Sequence, residues 1–242
     1  MKITYAGAIS TAAVILLGMV LIIPAFSPPS PPDNYRQRVL LVFSVADEGD
    51  ASEWLLDLSF TLNKHQVPAT VFVSGKLASS HPECIVAFAD NVDIGSRTYS
   101  YVELPAIPDY LIQLEEVENG KNAVDTAGNL NSKLFMAPFR ETDDEIYSLL
   151  SRSGIIADFS YTDHYNKFHN GQFIRFEIES YDGSEYSADF FLHIETEEPI
   201  MILFESDTPV TRIDDFIAIL KSGKTHFINA SEITGLNLTL RE

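Results

Sequence analysis

Cysteine is nearly absent: Cys84 is the only one in 242 residues. No intrachain disulfide can therefore form, and stability must come from a packed core. Cys84 stands in the apolar helical stretch PECIVAFAD and reads as a small buried hydrophobe. Positive charge is also scarce, with 16 Lys and Arg against 35 Asp and Glu and a net charge of -19. Lys2 and Asp33 are the only charges before Arg36 and cancel each other, so the excess belongs to the rest of the chain. Such a surface repels phosphate, which excludes nucleic acid and anionic membrane surfaces as partners. Cationic groups, metal ions and neutral sugars remain admissible, and acidity alone assigns none of them. Hydrophobic residues make up 45% and charged residues 21%, the balance of one folded domain with a substantial core.

What is present first is a long apolar run. Residues 6–26, AGAISTAAVILLGMVLIIPAF, carry no charge, are long enough to cross a bilayer as a helix, and lack a small-x-small cleavage site. The segment after a short flank at 1–5 is expected to be an uncleaved signal anchor. The Pro-rich stretch within 27–37 is an extended linker that stands the domain off the membrane. Such a stalk suits a domain outside the cytoplasm, so residues 38–242 are expected there, on a single-pass anchor in the cell membrane. Flanking charge does not fix the orientation, because Lys2 is balanced by Arg36 and Arg38. Asn229 and Asn237 head two short glycosylation sequons.

Beyond the linker, strand-like and helix-like stretches alternate. RVLLVFSVA (38–46) reads as a buried parallel strand, followed by a helix that opens with a capping box at Asp50 and Glu53. ATVFVSG is the next strand, Pro82 begins the helix holding Cys84, and VDIGS (92–96) is a third strand. Leu111, Leu114, Val117 and Val124 define one face of a helix that starts after Pro108, with Gly128 as its stop. KLFMAPF (133–139) and IIADFS flank a helix over 143–152. Between His164 and Glu198 the stretches FIRFEI and FFLHI suggest an inserted hairpin or irregular strands. PIMILFES (199–206) is a buried strand, 213–221 a helix and HFINAS a final strand. The alternation implies parallel βαβ units, in a doubly wound sheet or a β/α barrel, with functional groups at the carboxyl ends of the strands.

Those ends carry Asp47 and Glu48, then Arg97, Tyr99 and Tyr101, then Met136, Pro138, Phe139 and Arg140, and late in the chain Glu205 and Asp207. In order and spacing the segments resemble the polysaccharide deacetylases of the NodB-homology family. VADEG (45–49) is similar to the family's TFDDG, and KHQVPATVFVSGKLASSHPE (64–83) to its KHGVKATFFVIGK...HPE. IGSRTYSY (94–101) is similar to IGNHTYSH, and LFMAPFRE (134–141) to LFRPPYGE. The resemblance implies an α/β fold, a deacetylase-like β/α barrel, as a single domain after the N-terminal helix. It puts Asp47 at the catalytic base position, Glu48 at the metal carboxylate and Glu205 at the late acid.

The same match puts Arg97 and Tyr101 where the family has its two metal histidines, and Met136 where it has an arginine. Glu48, Arg97 and Tyr101 are then vestigial metal positions, and Met136, Pro138 and Phe139 line the substrate groove. Arginine offers no lone pair, so the family's zinc is not expected to bind, and no other cofactor is implied. Instead the Arg97 guanidinium is expected to pair with Asp47 or Glu48. His164, His169, His193 and Glu195 are chemically able to ligate zinc, but their spacing matches no convergent pair, and surface roles are expected for them. Three functions follow from this composition. One is a catalytically eroded deacetylase-like domain at the cell surface with a glycan partner; the others are a working hydrolase of N-acetylated sugars and a structural stalk.

Overall fold

The computed structural model of the chain describes residues 37–46, 49–140, 142–160, 174–175, 179–194, 196, 198–223 and 225–241. In chain order the elements are β1 (Gln37–Val45), α1 (Ala51–His65), β2 (Ala69–Val73), α2 (Gly75–Ser80), α3 (Glu83–Val86), β3 (Val92–Ser96) and α4 (Tyr110–Gly128). There follow β4 (Leu130–Ser132), β5 (Leu134–Phe135), α5 (Asp144–Arg152), β6 (Ala157–Asp158), β7 (Ile174–Arg175), β8 (Glu179–Asp182) and α6 (Ala188–Leu192). The chain ends with β9 (Ile200–Glu205), α7 (Val210–Ser222), β10 (Thr225–Ile228), α8 (Ala230–Thr234) and β11 (Thr239–Arg241).

Nine strands form one sheet in the order β7-β6-β5-β3-β2-β1-β9-β8, with β10 added beside the first half of β1. Every pairing in that sheet is parallel, whereas β11 and β4 form a separate antiparallel pair. The two edge strands are consecutive in sequence. Arg175 and Glu179 are four residues apart, and an extended chain covers at most about 3.6 Å per residue, so the edges come within about 14 Å of each other. A nine-stranded parallel sheet meets that constraint only by curling into an almost closed barrel.

Alternation along the strands sorts side chains into two cores. Val39, Leu41, Phe43 and Val45 pack outward with Val71, Val73, Ile94, Ile202 and Phe204 against α1 and α7. Leu40 and Val42 point inward with Phe72, Leu134, Met136, Phe159, Met201 and Leu203. Because Ser44 continues the inward series of β1 and Glu205 is its register partner on β9, both face the barrel interior at its carboxyl end. Cys84 is buried on α3, its thiol donating to the Ser52 carbonyl at 3.3 Å.

Several local expectations change. Asp50 is the N-cap of α1, but its side chain makes no capping hydrogen bond, so the capping box does not form. The helix predicted to stop at Gly128 includes it, and Asn129 in the left-handed conformation ends α4. KLFMAPF is strand only at Leu134–Phe135, and HFINAS turns into α8 once Asn229 accepts the Glu232 amide at 2.9 Å. FFLHI is not a strand: Ser187 is the N-cap of α6, which buries Phe191 against Phe216. Of FIRFEI, Ile174 and Arg175 form β7, which pairs with β6 rather than with β8, so among the described residues no hairpin forms there. The apolar run at 6–26 and most of the linker lie outside the described residues; among those described, no helix is long and apolar enough to cross a membrane.

Candidate functional site

Parallel strands deliver their last residues to one rim, and the largest fully buried side chain there is that of Arg97, only 1% exposed. It follows β3 directly, where its backbone amide donates to the Val73 carbonyl at 2.9 Å. The guanidinium crosses beneath β2 and donates from Nη1 to the Ser44 hydroxyl and from Nη2 to the Ala137 carbonyl at 3.1 Å. The Tyr101 ring covers it, its centroid 4.4 Å from the guanidinium carbon, a cation-π arrangement shielded from water. Burial pulls the Arg97 pKa below its ordinary value, while Tyr101 and Glu205 favour the charged form.

Above this buried cation, Phe139 meets Tyr101 edge-on with ring centroids 5.5 Å apart, and Phe139 remains 62% exposed. Arg140 pairs with Glu205 across 3.8 Å at the partly exposed rim. Tyr101, Phe139 and Arg140 all hold positive φ, at 57°, 56° and 60°. Among the described residues the other two such non-glycine positions, Gln66 and Asn129, are ordinary left-handed helix C-caps. Backbone strain is thus gathered at this rim, as it commonly is where a site is held in shape.

The segment from Arg97 to Val102 is fastened from both sides. Gly75 and Lys76 amides donate to the Thr98 and Tyr99 carbonyls at 3.2 and 2.9 Å, and the Tyr99 amide donates to the Glu116 carbonyl at 2.9 Å. The Glu116 carboxylate accepts both the Ser100 amide and its hydroxyl. α4 comes this close only because Gly120 has no side chain: a Cβ there would lie 2.1 Å from the Arg97 carbonyl oxygen. On the opposite flank the Ala137 amide donates to Ser160 Oγ at 2.7 Å, and Ser160 in turn hydrogen-bonds the buried Asp158 carboxylate.

Among the residues singled out from sequence, the structure brings together Arg97, Tyr101, Phe139 and Glu205. Met136 and Pro138 are buried; Met136 packs in the inner core, so Phe139 alone of the three offers a surface. Asp47, Glu48, His164, His169 and Glu195 lie outside the described residues. His193 is exposed, with Nδ1 2.7 Å from the Asp189 carbonyl oxygen. Ser44 and the Ala137 carbonyl were not singled out, although the inward parity of β1 marks Ser44. Asn229 is buried, its amide donating to the Asn91 carbonyl at 3.0 Å, so the first sequon is inaccessible to a glycan.

Zinc does not fit the residues present at the matched positions. The guanidinium has no lone pair, its two terminal nitrogens donate to Ser44 and Ala137, and its fixed charge opposes a second cation in the same volume. Among the described residues, no three His, Cys, Asp or Glu side chains gather to hold a metal ion.

A sequence model of the family described as polysaccharide deacetylase matches residues 34–157, just over half of the 242. The chain belongs to the polysaccharide deacetylase family. Solved structures agree on the fold. A candidate polysaccharide deacetylase from Mycobacterium smegmatis superposes with a TM-score of 0.66 at 17% identity, covering 86% of this chain and 92% of its own. A family 4 carbohydrate esterase from Streptomyces lividans, solved with acetate, gives 0.58 at 17% identity over 80% of this chain and 92% of that one. A family 4 pseudoenzyme from Bacillus anthracis gives 0.58 at 17% identity over 83% of this chain and 66% of that one.

Proposed function

We propose that this deacetylase-family chain is a membrane-anchored, extracytoplasmic domain that has lost metal-dependent hydrolysis and binds a cell-surface glycan at the rim of its barrel. The observation that carries the reading is the Arg97 guanidinium, buried and bonded where the family match has a metal-binding histidine. Amide hydrolysis on this scaffold needs a Lewis acid to polarise the carbonyl and activate water, and a guanidinium supplies neither an open coordination position nor a bound hydroxide. The pseudoenzyme described from Bacillus anthracis, and a mutant of it described as having restored activity, make such a loss a precedented course on this fold.

The exposed Phe139 ring, backed by Tyr101 and flanked by Arg140 and Glu205, supplies an aromatic face with polar groups beside it, suited to the flat side of a sugar ring. The test is to purify the full-length chain, measure its zinc content, and assay acetate release from chitin oligomers and peptidoglycan fragments with and without added zinc. Absence of stoichiometric zinc and of acetate release is expected. Zinc-dependent acetate release establishes the alternative, a working N-deacetylase of a cell-surface polysaccharide.

A further inference from the structure

A second opening lies on the outside of the barrel, between α2 and α4, behind the Arg97–Val102 segment. It is a cleft open to solvent, of about 770 Å³, lined by Ser79, Pro82, Tyr99, Asn119, Asn122 and Thr126 together with Ala78, Ala123 and Ala127. The shape follows from the packing. The two helices touch at Gly75 and Gly120, where a Cβ on Gly75 would lie 2.7 Å from the Gly120 Cα, and the space opens beside that contact. Tyr99 stands at the junction, its amide bonded to α4 and its carbonyl to α2, with its ring against Gly75.

The lining residues contain no ionisable acid or base apart from the Tyr99 phenol, on a chain whose net charge is -19. A cation has no carboxylate to meet there, and an anion is repelled by the surrounding field. Among the described residues, the side chains of Ser79, Asn119, Asn122 and Thr126 and the Tyr99 hydroxyl make no intramolecular hydrogen bond, so five polar groups face one opening uncommitted. Asn119, Asn122 and Thr126 fall at successive helical spacings on one exposed face of α4. Each amide offers two donors and an acceptor, and each hydroxyl offers both, which matches the alternating hydroxyls and acetamido groups of a neutral sugar. The volume falls within the ~300–1,000 Å³ of small-ligand sites.

We infer that this cleft is a binding site for a neutral N-acetylated oligosaccharide, separate from the barrel rim. The choice of a glycan rests on the function proposed above, while the location rests on the cleft. The experiment is calorimetric titration of the full-length chain with a tetramer of N-acetylglucosamine. It compares the native sequence, the double variant Asn122→Ala/Thr126→Ala, Tyr99→Phe and Phe139→Ala. Asn122 and Thr126 are exposed and unbonded, so their removal does not threaten folding; circular dichroism confirms it.

Loss of two hydrogen bonds to sugar is expected to weaken binding about tenfold in the double variant, equivalent to about 1.4 kcal/mol. Tyr99→Phe is expected to weaken it less, and Phe139→Ala to leave a cleft-bound tetramer in place. An unchanged affinity in the double variant overturns the cleft. If affinity falls only with Phe139→Ala, the sugar sits at the rim, and the cleft is overturned while the rim reading stands. No binding to the native chain overturns both.

Discussion

Arg97 concentrates the energetics of the site in one side chain. Removing a guanidinium from water costs several kcal/mol, and what offsets it here is two charge-assisted hydrogen bonds, a covering ring and the field of Glu205. Arg97→Ala discards those bonds, leaves the buried Ser44 hydroxyl without the guanidinium and opens a void. A loss of about 3 kcal/mol in urea unfolding is expected, from charge-assisted bonds of about 1.5–3 kcal/mol each less the recovered desolvation. A loss below about 0.5 kcal/mol would mean that water fills the space without penalty. Arg97→His with Tyr101→His restores both imidazoles of the family match, and this double variant is expected to gain a zinc-dependent rise in Tm that the native chain lacks. On α8, whose Glu232 reaches solvent, partial desolvation still raises the pKa of that carboxyl and the charge of Asp93 adds to the rise. The fold then holds that proton more tightly than the unfolded chain does, so its contribution to stability is present below the ordinary carboxylate range and is lost as pH rises through the raised value. Glu232→Gln is therefore expected to raise Tm near neutral pH, with the advantage disappearing in acid; an advantage that instead grows in acid contradicts the sign.

At the scale of elements, α4 is where a propensity argument and a packing argument oppose each other. Ala in place of Gly gains about 1 kcal/mol in a helix interior. At Gly120, however, the added Cβ lies 2.1 Å from the Arg97 carbonyl oxygen and 3.0 Å from Thr98 and Tyr99 backbone atoms, none of which is a flexible side chain. Packing wins: Gly120→Ala is expected to destabilise by about 1–3 kcal/mol and to disturb the Arg97–Val102 segment. A stabilised variant in thermal unfolding would show that α4 slides away without cost. The periodic elements were legible in sequence because the apolar run 38–46 and the spaced Leu114, Val117 and Val124 of α4 follow directly from burial on one or two faces, although Leu111, expected on the same face of α4, is 63% exposed. The rim was legible in part. Strand-end position gathers Arg97, Phe139 and Glu205, yet nothing in the letters Tyr101, Phe139 and Arg140 announces positive φ, which is imposed by tertiary packing on residues that disfavour it. FFLHI failed for a related reason: a short aromatic run fits a strand or one buried helical turn equally well, and the ring that covers Phe191, Phe216, is remote in sequence.

For the whole molecule, the governing quantity is the excess of 35 acids over 16 bases, borne by the chain beyond Arg36. Two salt effects compete. Screening weakens attractive pairs such as Lys64 with Asp214 and Arg140 with Glu205, but exposed pairs contribute only about 0–1 kcal/mol each. Screening also relieves repulsion among the unpaired carboxylates, which acts between all of them and is strongest when the chain is compact. Raising ionic strength from about 0.01 to about 0.15 M shortens the Debye length from about 30 to about 8 Å, less than the spacing of most charges across a domain of this size. Repulsion, being long-ranged, is removed more completely than contact pairs are. Sodium chloride over that interval is therefore expected to raise Tm by at least about 3 °C, corresponding to about 1 kcal/mol for a domain of this length. Potassium chloride at equal concentration should act alike, since the mechanism is screening rather than a bound ion. A rise confined to one cation would point to a specific cation site instead, and a fall would mean that local pairs dominate the charge balance.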